Sequence, residues 1–416
     1  MMKLKGMKRW KKIALVLLGL ILLSQLPFIY RRFQLRRLSL KIDELKSQRV
    51  VDGAESSYQD YKGVIHVHSL LGGHSTGTLA DIIEAANSDD LDFVVMTEHP
   101  ARLIDTSEMT LKGVYGKTLF INGSEISTAS GDRFLLMPGT ARSSDASQPP
   151  STQDVLAQKK AQASIAFVAY PQEFRSWDAS DYDGIEVYNV YTNARRINPL
   201  ITFFDGLWSY WGYADLLFTT FYERPDESLR KWDDLNATGN LKLVAIAGAD
   251  AHANIGFSLL VDGAGKKFLQ VKLDPYERSF RLVRNHVLLE KRLEGIAPLD
   301  TQSLLSALRS GHCYISFDLL ADATGFRFTA ENRTEKKIMG DEIGLQDGVR
   351  FTVSTPISSR IRLIKEGQVV QEKEGASGQE FLVDQRGVYR VEAYLPQLGN
   401  HLGDKPWIIS NPIYVR

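Results

Sequence analysis

Cysteine is almost absent from this chain of 416 residues, because Cys313 is the only one. A single cysteine forms no intramolecular disulfide and builds no Cys-x-x-Cys metal site. Any metal that the protein holds must therefore be bound by His, Asp and Glu side chains. The cysteine count leaves the compartment open, because one cysteine suits the cytosol and is tolerated outside it.

An excess of charge of one sign is also lacking, since Lys plus Arg and Asp plus Glu each number 50. A balanced chain gives no sign of an extended basic surface, so no nucleic-acid partner is expected. The sequence also lacks a Gly-x-Ser-x-Gly nucleophile elbow and a phosphate-cradling P-loop. Serine hydrolases of that type and P-loop enzymes are therefore disfavoured. The length allows two domains with accessory segments.

Charge is missing from one long run near the N-terminus, residues 13–29. A helix needs about 17 to 20 apolar residues to cross a bilayer, so the run is just long enough. Basic residues flank it on both sides, and no small-x-small cleavage site follows it. We expect a single-pass membrane anchor over residues 1–30 and a stalk over 31–58; an interfacial helix or a cleaved signal is the alternative. The cationic N-terminus favours an extracytoplasmic location for the rest of the chain.

The stretch Gly-Val-Ile-His-Val-His-Ser at residues 63–69 predicts a short buried strand, because three of its residues are β-branched. Side chains alternate along a strand, which puts His66 and His68 on one face, close enough to share a metal. Two imidazoles at this spacing suit zinc, iron or manganese. A His-x-His pair is often incidental, so the prediction depends on further ligands.

Metal-capable side chains recur at or just after the C-terminal ends of later apolar runs, and one lies in the glycine-rich loop that follows the first run. Repeated strand–loop–helix units predict an α/β barrel or an open sheet. In parallel barrels the C-terminal ends of the strands form the rim on which active sites are built. The candidate ligands collected in this way are His66, His68, His74, His99, Glu125, Asp250 and His252.

The order and spacing of these residues resemble the PHP (polymerase and histidinol phosphatase) superfamily of metal-dependent phosphoesterases. The matching pieces are His66-x-His68, His74, Thr97-Glu98-His99, Glu125 and Asp250-x-His252. The resemblance covers roughly residues 60 to 320 and implies an α/β fold, a distorted (βα)7 PHP barrel. The chain looks most like bacterial members with an N-terminal transmembrane helix and a C-terminal Ig-like β-sandwich. That subgroup is also similar to hydrolases of the carbaryl-type amide and ester class.

The resemblance further implies two divalent metals, either zinc, manganese or iron. It assigns the ligands in two groups, one of His66, His68, Glu125 and Asp250 and one of His74, His99 and His252, with Glu125 able to bridge.

The implied reaction is hydrolysis of a small-molecule phosphoester by a metal-activated hydroxide, without a serine or cysteine intermediate. The alternatives are amide, ester or carbamate cleavage at the same site, and a non-catalytic envelope scaffold with a degenerate metal site.

One departure from the family concerns the position of Tyr170-Pro171, where the family has a histidine before the proline. A further family histidine is also missing after the next strand. Compared with the family, this departure implies two metals, or a third bound weakly through Tyr170 or Asn193. Tyr170 is thus a candidate ligand, substrate contact or packing residue, while Glu98 is expected to orient a histidine. Three loop arginines could reach a phosphate, although such arginines are usually solvated and none is favoured, namely Arg142, Arg195 and Arg196.

The expected domains are the barrel over residues 59–322 and the β-sandwich over 323–416, where short alternating strands and turns prevail. An aromatic segment at 190–235 interrupts the barrel pattern. Asp205 and Asp215 argue against a second membrane span there, so we expect helices that pack on the barrel or lid its mouth. No oligomeric state is indicated.

Overall fold

The computed structural model describes residues 9–50, 57–101, 104–139, 148–195, 198–238, 241–254, 256–261, 267–375, 378–399 and 402–416. Helices and strands are mixed along the chain, which confirms the α/β fold class predicted from the sequence. The helices are α1 (Arg9–Ser47), α2 (Leu79–Ser88), α3 (Thr106–Met109), α4 (Thr152–Ala161), α5 (Val190–Ala194), α6 (Pro199–Leu217), α7 (Asp226–Ala237), α8 (Tyr276–Leu282) and α9 (Ala297–Ser310).

The strands up to the end of the predicted barrel are β1 (Gln59–Val67), β2 (Phe93–Met96), β3 (Gly113–Tyr115), β4 (Thr118–Ile121), β5 (Ser124–Ser127), β6 (Arg133–Met137), β7 (Ile165–Ala169), β8 (Gly184–Asn189), β9 (Val244–Ala251), β10 (Gly256–Val261), β11 (Lys267–Lys272), β12 (Arg284–Leu289) and β13 (Cys313–Ser316). Those that follow are β14 (Arg327–Glu331), β15 (Lys336–Ile338), β16 (Glu342–Ile343), β17 (Val349–Ser354), β18 (Ser359–Lys365), β19 (Gln368–Gly375), β20 (Gly378–Val383), β21 (Gly387–Tyr394), β22 (Pro406–Ser410) and β23 (Ile413–Val415).

A closed ring of strands forms the first part of the fold. Strand β1 lies between β9 and β2, and β2 pairs with β4, all in parallel. A bridge between Glu98 and Ser124 links the end of β2 to β5, and the ring continues through β6, β7 and β8 to β9. Apolar side chains such as Ile65, Phe167 and Ile246 fill the interior. The interior of the ring is therefore a packed core of apolar side chains.

The finer assignment to a distorted (βα)7 barrel stays a prediction. The ring is mixed, because β6 is antiparallel to both of its neighbours. In the described chain the β5–β6 and β7–β8 connections contain no helix, unlike the connection from β1 to β2, which holds α2.

Two β layers face each other in the C-terminal part. One layer contains β14, β15, β17 and β20, and the other contains β18, β19 and β21–β23 with β16. Phe351 and Tyr389 meet between the layers with ring centroids 5.2 Å apart. Strand β13 pairs with β12 on one side and β22 on the other, so hydrogen bonds run unbroken from the ring into the second layer. The Ig-like assignment and the boundary at 322/323 stay predictions.

Helix α1 runs without interruption from the apolar run into the predicted stalk. Its N-terminal part is apolar and exposed, and it is long enough to cross a membrane. Further along, Leu35, Ile42 and Leu45 are buried in the main hydrophobic core. Residues 31–47 are therefore a docked helix, whereas residues 51–56 of the stalk lie outside the described residues. The membrane location stays a prediction.

The described helices of the aromatic segment pack in two places, and a role of the segment as a lid stays a prediction. Helix α6 packs on α1, where the rings of Phe28 and Phe204 lie 5.1 Å apart. Helix α7 does pack against the sheets, because Trp232 is buried and its indole nitrogen donates to the backbone oxygen of Leu243. The sequence pattern missed the partner of α6 because periodicity identifies an apolar face without identifying what covers it.

Candidate metal centre

A β-bulge at His66 aims this residue and the following His68 into the mouth of the ring. The register of β1 against β2 and β9 shifts between Ile65 and Val67, and His66 has a φ of +71°. Val64 and Val67 both pack on the outer side, whereas Ile65 faces the ring interior. Strict alternation would put His66 and His68 on the outer side with Val64. The extra residue of the bulge reverses that for both histidines.

Two further residues of the mouth have backbone conformations that non-glycine residues rarely adopt. Tyr170 directly follows β7 with a φ of +49°, and Asp250 lies near the end of β9 with a φ of +47°. Such conformations cost roughly 1–3 kcal/mol each and concentrate at functional sites. Three strained residues, counting His66, therefore face one another at the same rim.

Glu125 lies at the centre of the imidazoles. Its Oε2 atom is 3.2 Å from Nε2 of His66, 3.4 Å from Nε2 of His68 and 3.5 Å from Nε2 of His99. The ring of His68 stacks between the rings of His99 and His252, with centroid distances of 4.7 and 4.3 Å. This brings side chains from β1, β5, β9 and the loop after β2 to one point.

Two overlapping groups in this cluster have ligand atoms close enough to hold a metal ion. One consists of His66, His68 and Asp250, and the other of His68, His99 and His252. Asp250 Oδ1 lies 3.6 Å from His66 Nε2 and 3.4 Å from His252 Nδ1. The grouping differs from the one the resemblance implies, because His68 belongs to both groups.

Several buried ligand atoms have no hydrogen-bond partner. They are both ring nitrogens of His68, Oε1 of Glu125 and Oδ1 of Asp250. A buried polar atom without a partner costs about 1–3 kcal/mol, and more if it is charged. Nitrogen and carboxylate oxygen together are the donor set of zinc, manganese and iron sites. The residues present therefore fit a divalent metal.

The protonation states of His68, His99 and Glu125 also suit metal binding. Burial lowers the pKa values of His68 and His99 to about 4, which leaves both rings neutral with a free lone pair at neutral pH. Burial opposes ionisation of Glu125, but the neighbouring rings of His66 and His68 hold its pKa well below the usual value. Neutral imidazoles beside an ionised carboxylate are the forms in which these groups bind cations.

His66 is held from behind by Glu186. Glu186 Oε1 lies 2.5 Å from Nδ1 of His66, so the opposite nitrogen faces Glu125 and Asp250. Burial alone would lower the pKa of His66, but Glu186 and Asp250 raise it well above its usual value. A carboxylate on the far nitrogen orients a ligating imidazole and increases its basicity.

Hydrogen bonds to its Oδ2 atom orient Asp250. The hydroxyl of Tyr170 donates to this oxygen, and the side-chain amide of Asn189 does so at 3.3 Å. Burial raises the pKa of Tyr170 far above its usual value, so its hydroxyl stays a donor. The free Oδ1 atom of Asp250 thereby faces the histidines.

Glu98 and His74 lie farther from the centre than the other candidates. Glu98 is buried and accepts hydrogen bonds from the backbone nitrogen of Ser69 at 3.1 Å and from the hydroxyl of Thr110 at 3.0 Å. Glu98 therefore anchors the loop that follows β1, and neither of these hydrogen bonds involves a histidine. His74 is exposed at the rim, with its ring 5.0 Å from that of His99, and belongs to neither group.

A cleft of about 470 Å³ opens over the cluster. Arg133 lines it, 3.7 Å from Glu125 Oε1 and 4.6 Å from the centre of the Tyr170 ring. Of the arginines named from the sequence, Arg195 pairs with Glu173 instead. The remaining two, Arg142 and Arg196, lie outside the described residues.

Sequence reasoning missed the roles of Glu186, Asn189 and Arg133. One signal was available, because Glu186 is the charged residue in an otherwise apolar run at 184–188. A charge in a buried strand needs a partner, and a histidine is a natural one. Nothing in the local sequence distinguishes Arg133 from other arginines next to strands.

No family model matches the sequence, and no curated protein matches it. Among solved structures, one similar chain is a two-domain protein from Bacteroides vulgatus described as containing a predicted PHP-like metal-dependent phosphoesterase. It is 15% identical, covers 86% of this chain and 96% of its own, and has a TM-score of 0.40. Another is PsfC from Pseudomonas syringae, 13% identical, covering 62% and 92%, with a TM-score of 0.34. At such low scores a likeness assigns neither family nor reaction.

Proposed function

We propose that this protein is a metal-dependent hydrolase of the PHP type that cleaves phosphoesters of small molecules. The observation that carries the proposal is the set of buried, unpartnered ligand atoms on His68, Glu125 and Asp250, which converge with three more histidines. Leaving such atoms without a partner is costly, and a divalent cation is the partner that satisfies nitrogen and carboxylate oxygen together.

The proposed site holds two cations. His66, His68 and Asp250 would hold one, and His99 and His252 would help to hold the other, with the carboxylate of Glu125 within reach of both sets. His74 remains a proposed outer ligand beside His99. Divalent metals held here would supply an activated water and a Lewis acid for the hydrolysis.

The residues around the cations have separate tasks in this proposal. Glu186 orients His66, and Tyr170 with Asn189 orients Asp250. Arg133 lines the cleft, where its guanidinium would bind phosphate oxygens in a two-pronged contact. Cys313 takes no part, because burial raises its thiol pKa to about 12 and leaves it protonated at neutral pH.

The amide, ester or carbamate alternative depended on an apolar mouth built from residues 201–222. Most of that segment is α6, which packs on α1, and Phe218 is its contribution to the cleft. An arginine beside the carboxylates favours an anionic substrate instead. A phosphoester is therefore preferred to a neutral amide or ester.

The test is metal content together with hydrolysis, measured on the full chain in detergent. Phosphomonoesters and phosphodiesters are compared with carboxylesters and amides, using His68→Ala and Asp250→Ala as site variants. The matched control is His312→Ala, which removes a histidine whose partner is Asp341, away from the cleft.

We expect about two metals per chain, and a loss of phosphoester hydrolysis in the site variants that exceeds the roughly 10–100-fold effect of losing a supporting residue. The control should keep both properties. A chain without metal would overturn the site, and metal without turnover of any substrate class would favour the scaffold alternative.

A further inference from the structure

Helix α6 carries an apolar stripe that nothing in the described chain covers. Four of its large side chains are between 61% and 87% exposed, namely Leu200, Phe203, Leu207 and Trp211. Their spacing of three or four residues aligns them on one face of the helix. Contiguous exposed patches of this kind mark interaction surfaces in soluble proteins.

The opposite face of α6 is buried. Asp205, Ser209 and Leu216 lie there, and Asp205 forms an ion pair of 2.7 Å with Arg31 on α1. Asp215 pairs with Arg281 on α8 at 3.0 Å. Both acidic residues of the helix are thus paired on the protein side, and the exposed stripe carries no charge.

The neighbour of α6 is the end of the apolar part of α1. The ring contact from Phe28 to Phe204 and the hydrogen bond from Trp208 to Gln25 occur just before the basic residues of α1 begin. Up to that point α1 is exposed along its apolar residues, with none of its most hydropathic window buried. The apolar surface of α1 therefore continues onto α6.

Basic and aromatic residues border this joint surface. Arg36 and Arg37 are exposed on the next turn of α1, where the phosphates of a bilayer would lie if the apolar run were inserted. Trp208 and Trp211 on α6 add two indole rings to this surface, and such rings are enriched at membrane interfaces.

We propose that α6 is an interfacial membrane helix, with its apolar stripe inserted into an anionic phospholipid surface beside the anchoring part of α1. It lies in the surface and does not span it. The helix breaks its regular geometry at Tyr213, and among the described residues only α1 passes the length and hydropathy criteria for a span. This inference goes beyond the proposed hydrolase and is independent of whether metal binds.

The arrangement would bring the cleft close to the bilayer. Helix α6 is joined to the cleft at both ends, because Tyr191 and Ala194 precede it and Phe218 directly follows it, and all three line the cleft. Insertion of α6 would therefore hold one wall of the cleft against the lipid surface.

The test uses nitroxide labels on the full chain, reconstituted in vesicles of phosphatidylcholine and phosphatidylglycerol. Leu207→Cys is labelled on α6, with Leu18→Cys on α1 as the lipid-facing reference and Leu382→Cys on β20 as the water-facing reference. All three positions are exposed, so the label does not disturb packing. Cys313 is buried and stays out of reach of the reagent.

We expect the label at position 207 to be accessible to oxygen and shielded from a water-soluble nickel chelate, as at position 18. Access to nickel as high as at position 382 would overturn the inference, and so would a water-exposed label at position 18. Shielding from both reagents with dipolar broadening would identify a second copy of the chain as the occupant, and would also overturn it.

Discussion

Glu186 Oε1 lies 2.5 Å from Nδ1 of His66, although the two residues are on strands that are not neighbours. Strand β9 runs between β8 and β1, and the contact passes over Gly248. A Cβ atom at Gly248 would lie 1.7 Å from Glu186 Oε1 and 3.1 Å from His66 Nδ1. The missing side chain of Gly248 therefore makes the space for the carboxylate that orients the histidine.

Glu186→Gln should weaken metal binding about 10–100-fold, because an amide orients the ring of His66 without supplying a negative charge. Metal titration by calorimetry measures this directly. Glu173→Gln is the matched control, since Glu173 is exposed and pairs with arginines. Equal affinity in the Glu186 and Glu173 variants would contradict a supporting role for Glu186.

Gly248→Ala should lower the free energy of unfolding by about 1–3 kcal/mol and weaken metal binding as well, since the new methyl group displaces Glu186. Urea unfolding and metal titration give the two values. At Gly378 an added Cβ meets nothing within 4 Å, so Gly378→Ala should change neither. If the Gly248→Ala variant binds metal with unchanged affinity, the space left by Gly248 is not needed to position Glu186.

Metal removal should lower the stability of the chain, because a ligand that binds only the folded state stabilises it by about 2.7 kcal/mol at a hundred times its Kd. Thermal unfolding with zinc or manganese is compared with unfolding after chelation. The difference should vanish in Asp250→Ala, which loses a member of the first group. An unfolding temperature that changes neither with added metal nor with chelator would argue against the metal site.

Arg133→Lys should reduce kcat/KM for a phosphomonoester about 10-fold or more, because a lysine does not make the two-pronged contact with phosphate. Hydrolysis of a carboxylester should change little. Arg195→Lys serves as the control, because Arg195 is exposed and paired with Glu173. Equal losses on both substrates would mean that Arg133 supports the cluster and does not recognise phosphate.

A buried histidine outside the metal cluster, His286, makes stability depend on pH. It lies between Asp60 at 2.9 Å and Asp318 at 3.3 Å. Burial opposes its charge, but the two carboxylates raise its pKa to about 10. Because the folded pKa is raised, the stabilisation is complete below about pH 6.5, the usual histidine value, and is lost as the pH rises towards 10.

His286→Gln should therefore destabilise the chain most at about pH 6, by about 3–5 kcal/mol, since it leaves two buried carboxylates without their cation. Urea unfolding of both proteins at several pH values checks this. The difference between them should shrink from pH 7 to pH 10. A constant difference would show that His286 is neutral in the folded chain.

The sequence by itself determined which residues are available for the site and roughly where the strands lie. With one cysteine, any metal must be bound by His, Asp and Glu, and apolar runs before His66, His99, Glu125 and Asp250 predict strands that end near them. The structure brings these four side chains together. Their roles as ligands stay predictions for the experiments above.

Only the tertiary structure decided how the parts meet, because each of these relationships joins residues far apart in the chain. Alternation predicts that His66 and His68 share a face, but the bulge determines which face it is. Glu186 reaches His66 because β9 pairs with both of their strands, and no local sequence pattern encodes this strand order. The packing of α6 on α1 is a further example. The sequence shows that α6 has an apolar face, but only the tertiary structure shows which element covers it.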